Sequence, residues 1–315
     1  MVDAVGPLTW STAAVSWRWD TASAVLLVLA SVTYGWAYRR RTADDVVQRW
    51  RPWSFGVGVA LWAVAAFSVI AVYAYVLFWM RALQVVLLMM AVPFFVAMGQ
   101  PVTVLRAGLG AVGRRRIDEL LGSRLLRVLA HPLTTSVAML GTPWLLYLTP
   151  WYMASLENVA LGEVTMVFLI VVGFGYFYAR LQADPVPRRY SQLISVLISV
   201  VETIGDGVLG LVLWLGPLVA TEYYQKLDRG WGISQREDQS IGAGILWILG
   251  DVLGVPFLMV LLRAFGADER ARAVEVDREL DRREEARGEA EDQVQGESTL
   301  WWHNDPQLRE RFGRR

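Results

Sequence analysis

The stretch Leu77–Gly99, LFWMRALQVVLLMMAVPFFVAMG, decides the fold. It carries a single charge, Arg81, in a run long enough to meet the roughly 20 mostly apolar residues that a helix needs to cross a hydrocarbon core. Working outward from it, six further apolar runs occupy 22–38, 53–74, 133–150, 158–180, 191–214 and 239–263. The fold class read from this pattern is all-α: a polytopic transmembrane helical bundle of about seven spans. The run before the quoted stretch ends only a few residues ahead of it, near Tyr73–Leu77, which predicts a tight hairpin. Pro93 removes a backbone donor and crowds the preceding turn, which predicts a kink in the third span.

Composition agrees. Of the 315 residues, 55% are hydrophobic and 15 are Trp, more than an ordinary soluble domain of this size carries. The formal net charge is zero and no basic, aromatic-interleaved patch stands out, so no nucleic-acid partner is expected. The chain has no Cys, which excludes disulfides, thiolate metal sites and cysteine nucleophiles. With only His131 and His303, a multi-histidine metal or haem site within one chain is nearly excluded, and no cofactor is expected.

Loop charge sets the expected orientation through the positive-inside rule. Arg39, Arg40, Arg41, Arg49 and Arg51 follow the first run, Arg106 through Arg127 fill the linker after the third, and Arg180, Arg188 and Arg189 follow the fifth. The alternate side holds only Arg18, Lys226, Arg229 and Arg236. The N-terminus is therefore placed outside and the C-terminus in the cytoplasm. Three parts follow. Residues 1–20 form an outer arm with Trp10, Trp17 and Trp19 for the interface and no signal-peptide pattern. Residues 21–264 form the membrane domain, with an interfacial cytoplasmic segment at about 100–132 that includes an amphipathic helix. Residues 265–315 form a charge-dense cytoplasmic tail, expected as a solvated helix with i,i+4 charge pairs, whose Trp301 and Trp302 could dock on a membrane or partner or fold back on the protein itself.

Ionisable residues inside a membrane are costly and mark candidate sites. Arg81, Glu163, Glu202, Asp206 and Asp251 fall in or near the runs, and Glu202 and Asp206, four apart, share a helix face. They can be read as a polar cluster that handles a cation or protons, or as interhelical glue in which Arg81 neutralises a carboxylate such as Glu163. Met80, Met89, Met90, Met98, Met153 and Met166 could hold Cu(I) but are ordinary packing material for a bundle. His131, ahead of Pro132, fits a structural role at a helix start, and the Gly205–Gly210 and Gly242–Gly244 stretches fit close helix packing. No nucleophile–base pair or cofactor motif is visible, so no enzyme is expected.

Six stretches, in order, resemble the CtaG family of cytochrome c oxidase assembly proteins, seven-span bacterial membrane proteins. They are Tyr34-Gly35-Trp36 with the following arginines; Leu87-Leu88-Met89-Met90-Ala91-Val92-Pro93 with Gly99-Gln100-Pro101-Val102-Thr103; Leu129-Ala130-His131-Pro132; Asp184-Pro185-Val186-Pro187; Glu237-Asp238-Gln239 with Gly242, Gly244 and Trp247; and Asp268-Glu269-Arg270. The resemblance runs from Trp19-Asp20 into the tail. It implies a bacterial plasma-membrane location, oxidase subunits as partners beside the lipid bilayer, and an acidic residue at Asp251. It also implies two histidine pairs, on the third and fifth spans. The corresponding positions here are Arg81 and Val85, with Gln84 retained between them, and Leu161 and Thr165. The expectation is thus an assembly or stabilising factor for a haem-copper cytochrome c oxidase that acts by protein contacts and lacks its relatives' histidine-based copper site. The alternative is a transporter or ion-handling protein that uses Glu202, Asp206 and Asp251.

Overall fold

A computed structural model of the chain describes residues 6–41, 49–182, 184–185 and 192–297; Trp301, Trp302 and His303 lie outside them. The described residues form helices joined by turns, with no strand among them. Contacts divide the chain into a unit that ends at Leu262 and a second that begins at Arg263.

The arm holds a short helix, α1 (Trp10–Val15), closed by a capping box between Thr9 and Thr12. Helix α2 (Thr21–Arg40) starts at Asp20, whose carboxylate accepts the Ser23 N–H at 2.9 Å, and ends with Arg39 and Arg40 in the last turn, where cations complement the helix dipole. Two ends of the bundle can thus be named by residues of α2: the Asp20 end and the Arg40 end. Helix α3 (Arg51–Phe67) stops at Ser68, which is extended and caps α4 (Val69–Tyr73), so the second apolar run is broken rather than continuous. The chain then turns at residues 74–77 into α5 (Phe78–Val86), forming the expected hairpin.

The third apolar run absorbs Pro93 in a way the expected kink does not capture. A π-helical turn, Leu87–Ala91, separates α5 from α6 (Val92–Met98). Proline gives the Met89 carbonyl no i,i+4 donor, and the π turn re-registers the ladder so that Val92 N–H reaches Leu87 O. Against this turn packs Gly173 of the fifth run. A Cβ there would lie 2.1 Å from Met89 O and 2.6 Å from Pro93 Cγ.

At the Arg40 end Gln100 adopts left-handed backbone (φ 51°) and reverses the chain into α7 (Pro101–Gly108), which packs on α2. The linker is not one amphipathic helix: α8 (Ala111–Leu121) and α9 (Arg124–Leu129) follow, divided at Gly122 and restarted by a Ser123 cap. Then come α10 (Pro132–Leu148), capped by His131 Nδ1, α11 (Trp151–Glu157), α12 (Val159–Leu181), α13 (Gln192–Leu215), α14 (Thr221–Lys226) and α15 (Gln235–Gly244). A second π turn, Ile245–Leu249, leads into α16 (Gly250–Glu297), which reaches into the second unit and carries an i,i+4 pair, Arg283–Glu279 at 2.9 Å.

Among the described residues five helices are long and apolar enough to cross a membrane: Thr21–Arg40, Phe78–Met98, Val159–Leu181, Leu197–Leu215 and Gln235–Arg263. α3 and α10, at 17 residues each, sit at the lower bound of that length.

Candidate functional site

Three of the stretches singled out in the sequence act as braces between elements. Asp238 of α15 is 1% exposed, and its carboxylate accepts the N–H groups of Phe78 (3.1 Å) and Trp79 (2.9 Å), the start of α5 that has no side-chain cap of its own. Gln239 beside it accepts from Val219 N–H and donates to Leu213 O and Pro217 O, fixing the chain between α13 and α14. At the Arg40 end, Asp184 accepts from Val102 N–H, Thr103 N–H and Thr103 Oγ1, capping α7 from a distant segment. Burial pushes the Asp184 carboxyl above its ordinary value, while these hydrogen bonds pull the other way. Tyr34 donates to Gly99 O at 2.9 Å and stacks on Phe55 with centroids 3.9 Å apart.

Arg81 stands alone among the intramembrane charges. It is 1% exposed; its Nη1 donates to Gln84 Oε1 (2.9 Å), its Nη2 to Ser155 Oγ (3.3 Å), and its Nε has no acceptor. No carboxylate among the described residues forms an ion pair with it, which overturns the expected pairing with Glu163; that residue is only partly buried on the first turns of α12. Instead the guanidinium sits in an aromatic enclosure, 5.7 Å from the Tyr75 ring, whose centroid also lies 4.1 Å from the Arg18 guanidinium. Tyr147 and Tyr152 pack at a tilt against Phe78 and each other, and Tyr152 and Tyr224 share a 2.7 Å hydrogen bond. Tyr223, on the loop helix α14, donates to Tyr75 O, and burial pushes its own hydroxyl up to about 12. The phenol oxygens of Tyr75 and Tyr147 are buried without partners.

Gln84 ties this region together. Its amide donates to Ala65 O at 2.8 Å and to Met166 Sδ at 3.6 Å, linking the second, third and fifth apolar runs. Of the four positions where the resemblance leads one to expect histidine, Val85 is packed in the core and Thr165 is 1% exposed, its hydroxyl receiving the Trp151 indole N–H at 2.9 Å. Arg81, Val85 and Leu161 offer no lone pair to a metal, and the Thr165 hydroxyl is engaged. Among the described residues no group of three or more His, Asp or Glu side chains could hold a metal ion.

Glu202 belongs to a different place from Arg81. Its Oε1 lies 2.8 Å from Arg180 Nη2, and its Oε2 accepts from Tyr176 at 2.7 Å. Arg180 also donates to Ser199 and Ser136, and its guanidinium lies 4.4 Å from the Tyr176 ring. Gly162 of α12 lies against Ser155 and Tyr75, the neighbours of Arg81, and Arg180 is 18 residues further along that helix, roughly 27 Å at 1.5 Å per residue, so the five proposed charges do not form one cluster. Asp206 does lie within electrostatic range of Glu202 and Asp251, and Asp251 bonds the Trp247 side chain, which is received by Gly207 and Gly210 of α13. Arg180, a loop charge by sequence position, lies instead in the last turn of α12. The signal the sequence offers is an arginine in the last turn of one apolar run with a glutamate ten residues into the next.

The apolar helices and their buried polar braces define a polytopic helical membrane protein. The chain belongs, more narrowly, to the cytochrome c oxidase caa3 assembly factor family, whose model matches residues 32–266. It is similar to uncharacterised proteins of Mycobacterium bovis and Mycobacterium tuberculosis, each 26% identical over 87% of this chain, and to one of Mycobacterium leprae, 25% identical over 84%. The chain spans less than half the length of these relatives, 42–43%. No solved structure matches it.

Proposed function

We propose that this chain assists the assembly of a haem-copper cytochrome c oxidase through protein contacts within a bacterial plasma membrane, without catalysis and without copper held by histidine. Family membership supports the oxidase link. The chemistry around Arg81 supports the second half: the positions that would present imidazoles carry a guanidinium, two aliphatic side chains and an engaged hydroxyl. A buried cation there repels a cuprous ion rather than coordinating it. The proposal includes seven spans, with α3–α4 and α10 as the two short ones, the N-terminus outside and the C-terminus cytoplasmic. The arginines of 39–51, 106–127 and 188–189 support that orientation.

The test is affinity purification of the full chain in mild detergent from cells that express the oxidase, with copper measured on the same sample. Co-purification of oxidase subunits with substoichiometric copper is expected. Stoichiometric copper that survives washing overturns the reading of the Arg81 region, and a clean absence of oxidase subunits overturns the assembly role. The transporter reading is less favoured because Glu202 is held by Arg180 and Tyr176. Proteoliposome flux that disappears in Asp251→Asn would reinstate it.

A further inference from the structure

At the Arg40 end an apolar groove meets two arginines, each with one buried donor that has no acceptor among the described residues. The groove has a volume of about 410 Å³ and runs between α2, α3, α6, α7 and α12, lined by Leu26, Leu29, Phe55, Val96, Leu105 and Phe174 among others. That volume is typical of a site for a small ligand. From Leu26 to Tyr34 along α2 it extends roughly 12 Å toward the Arg40 end. The neighbouring α2 residues Val25, Val28 and Val32 are exposed, so the groove opens on the surface that faces lipid.

Where the groove ends, a stack of rings leads to charge. Phe55 lies on Tyr34, Tyr34 on Tyr38 (6.4 Å), and the Arg41 guanidinium sits 3.6 Å above Tyr38. Arg51, the first residue of α3, lies within electrostatic range of Tyr34, as does Arg41. Arg41 Nη1 and Arg51 Nε are both buried and have no acceptor among the described residues. The nearby Asp184 carboxylate attracts Arg51, but its oxygens are committed to the start of α7. A desolvated donor on a cation is expensive unless something beyond the described residues supplies an acceptor.

We propose that this is a binding site for one anionic phospholipid, its phosphate between Arg41 and Arg51 and an acyl chain in the groove. Charge complementarity selects the anionic headgroup, and the apolar lining continuous with it selects a lipid over free phosphate. Basic pockets at the ends of membrane helices recognise anionic headgroups in this way. The site does not depend on the oxidase reading.

The experiment uses the full chain, delipidated in mild detergent and titrated with phosphatidylglycerol or phosphatidylcholine of matched acyl chains. Bound lipid is counted by native mass spectrometry. About thirtyfold preference for phosphatidylglycerol is expected, from two arginines at about 1 kcal/mol each. The double variant Arg41→Gln/Arg51→Gln should bind the two lipids equally, while Arg41→Lys/Arg51→Lys keeps the preference and shows that the fold survives. Ala30→Phe, which fills the groove, should lower binding of both lipids, and Arg114→Gln/Arg115→Gln, exposed arginines elsewhere, should change nothing. Equal binding of the two lipids by the wild-type chain overturns the proposal, as does a preference that persists in the double glutamine variant.

Discussion

Removing the Asp238 carboxylate should destabilise the bundle more than removing the cation it pairs with. Asp238 accepts the Phe78 and Trp79 N–H groups at 3.1 and 2.9 Å, whereas its contact with Arg229 is 3.3 Å and Arg229 keeps a 2.8 Å bond to Ile233 O. In Asp238→Ala two backbone donors at the head of α5 lose their acceptor. At about 1–3 kcal/mol for each unsatisfied donor, the loss is about 2–6 kcal/mol, toward the low end if water enters. Asp238→Asn keeps one acceptor but turns an amide N–H₂ toward the other donor, and should lose about half as much. Arg229→Gln breaks a largely buried ion pair but leaves the carboxylate its two N–H donors, and should cost about 1.5 kcal/mol, the low end for a hydrogen bond to a charged group. The assay is thermal unfolding in mild detergent, followed by Trp fluorescence. The expected order of stability is wild type, Arg229→Gln, Asp238→Asn, Asp238→Ala. If Arg229→Gln unfolds at the same temperature as Asp238→Ala, the ion pair and not the cap holds α15 to α5, and the reasoning fails.

Gly173→Ala should lower stability by about 1–3 kcal/mol or prevent folding, because its Cβ meets Met89 O at 2.1 Å; Gly175→Ala, with nothing within 4 Å, should stay within about 0.5 kcal/mol in the same unfolding assay. Breaking the Arg180–Glu202 pair by Arg180→Met or Glu202→Gln alone should cost about 3–5 kcal/mol, and the double variant should cost clearly less than the two together; additivity in that cycle would show the pair to be uncoupled. Asp184 holds its proton to higher pH in the folded than in the unfolded chain, so its contribution to stability is fullest below its ordinary value of 3.8 and is lost as pH rises through the raised folded value. The difference in unfolding temperature between wild type and Asp184→Asn should therefore drift against wild type across that window, and a drift in the opposite sense would refute the assignment.

The helices were legible because a membrane leaves one solution to the backbone: long apolar runs with their hydrogen bonds inside. What the runs did not disclose were their interruptions. Ser68 reads as one more small residue in an apolar run, yet its extended backbone ends α3 and starts α4. Pro93 announces a missing donor, but whether the helix bends or takes a π turn depends on what packs alongside, and that is Gly173, some eighty residues away. Asp184 and Asp238 were visible as parts of the stretches that carry the family resemblance. Their role as caps for α7 and α5 depends on contacts of 81 to 160 residues' separation, which local pattern does not encode.

The charges show the same division between what composition fixes and what geometry decides. Five ionisable residues in apolar runs invite a single polar cluster, because each alone is costly in hydrocarbon. The fold holds two of them in separate local settings instead. Glu202 takes the arginine that ends the preceding helix, and Arg81 takes neutral oxygens from Gln84 and Ser155 with rings around it. A guanidinium can be held this way because its charge is delocalised and weakly hydrated, and it binds to ring faces. A lysine could not replace it on equal terms: its compact ammonium would face the tyrosines at full desolvation. Arginine at position 81 thus keeps the region polar and closed where imidazoles would keep it polar and open to a metal. That contrast is why the function proposed here rests on contacts between proteins rather than on a bound ion.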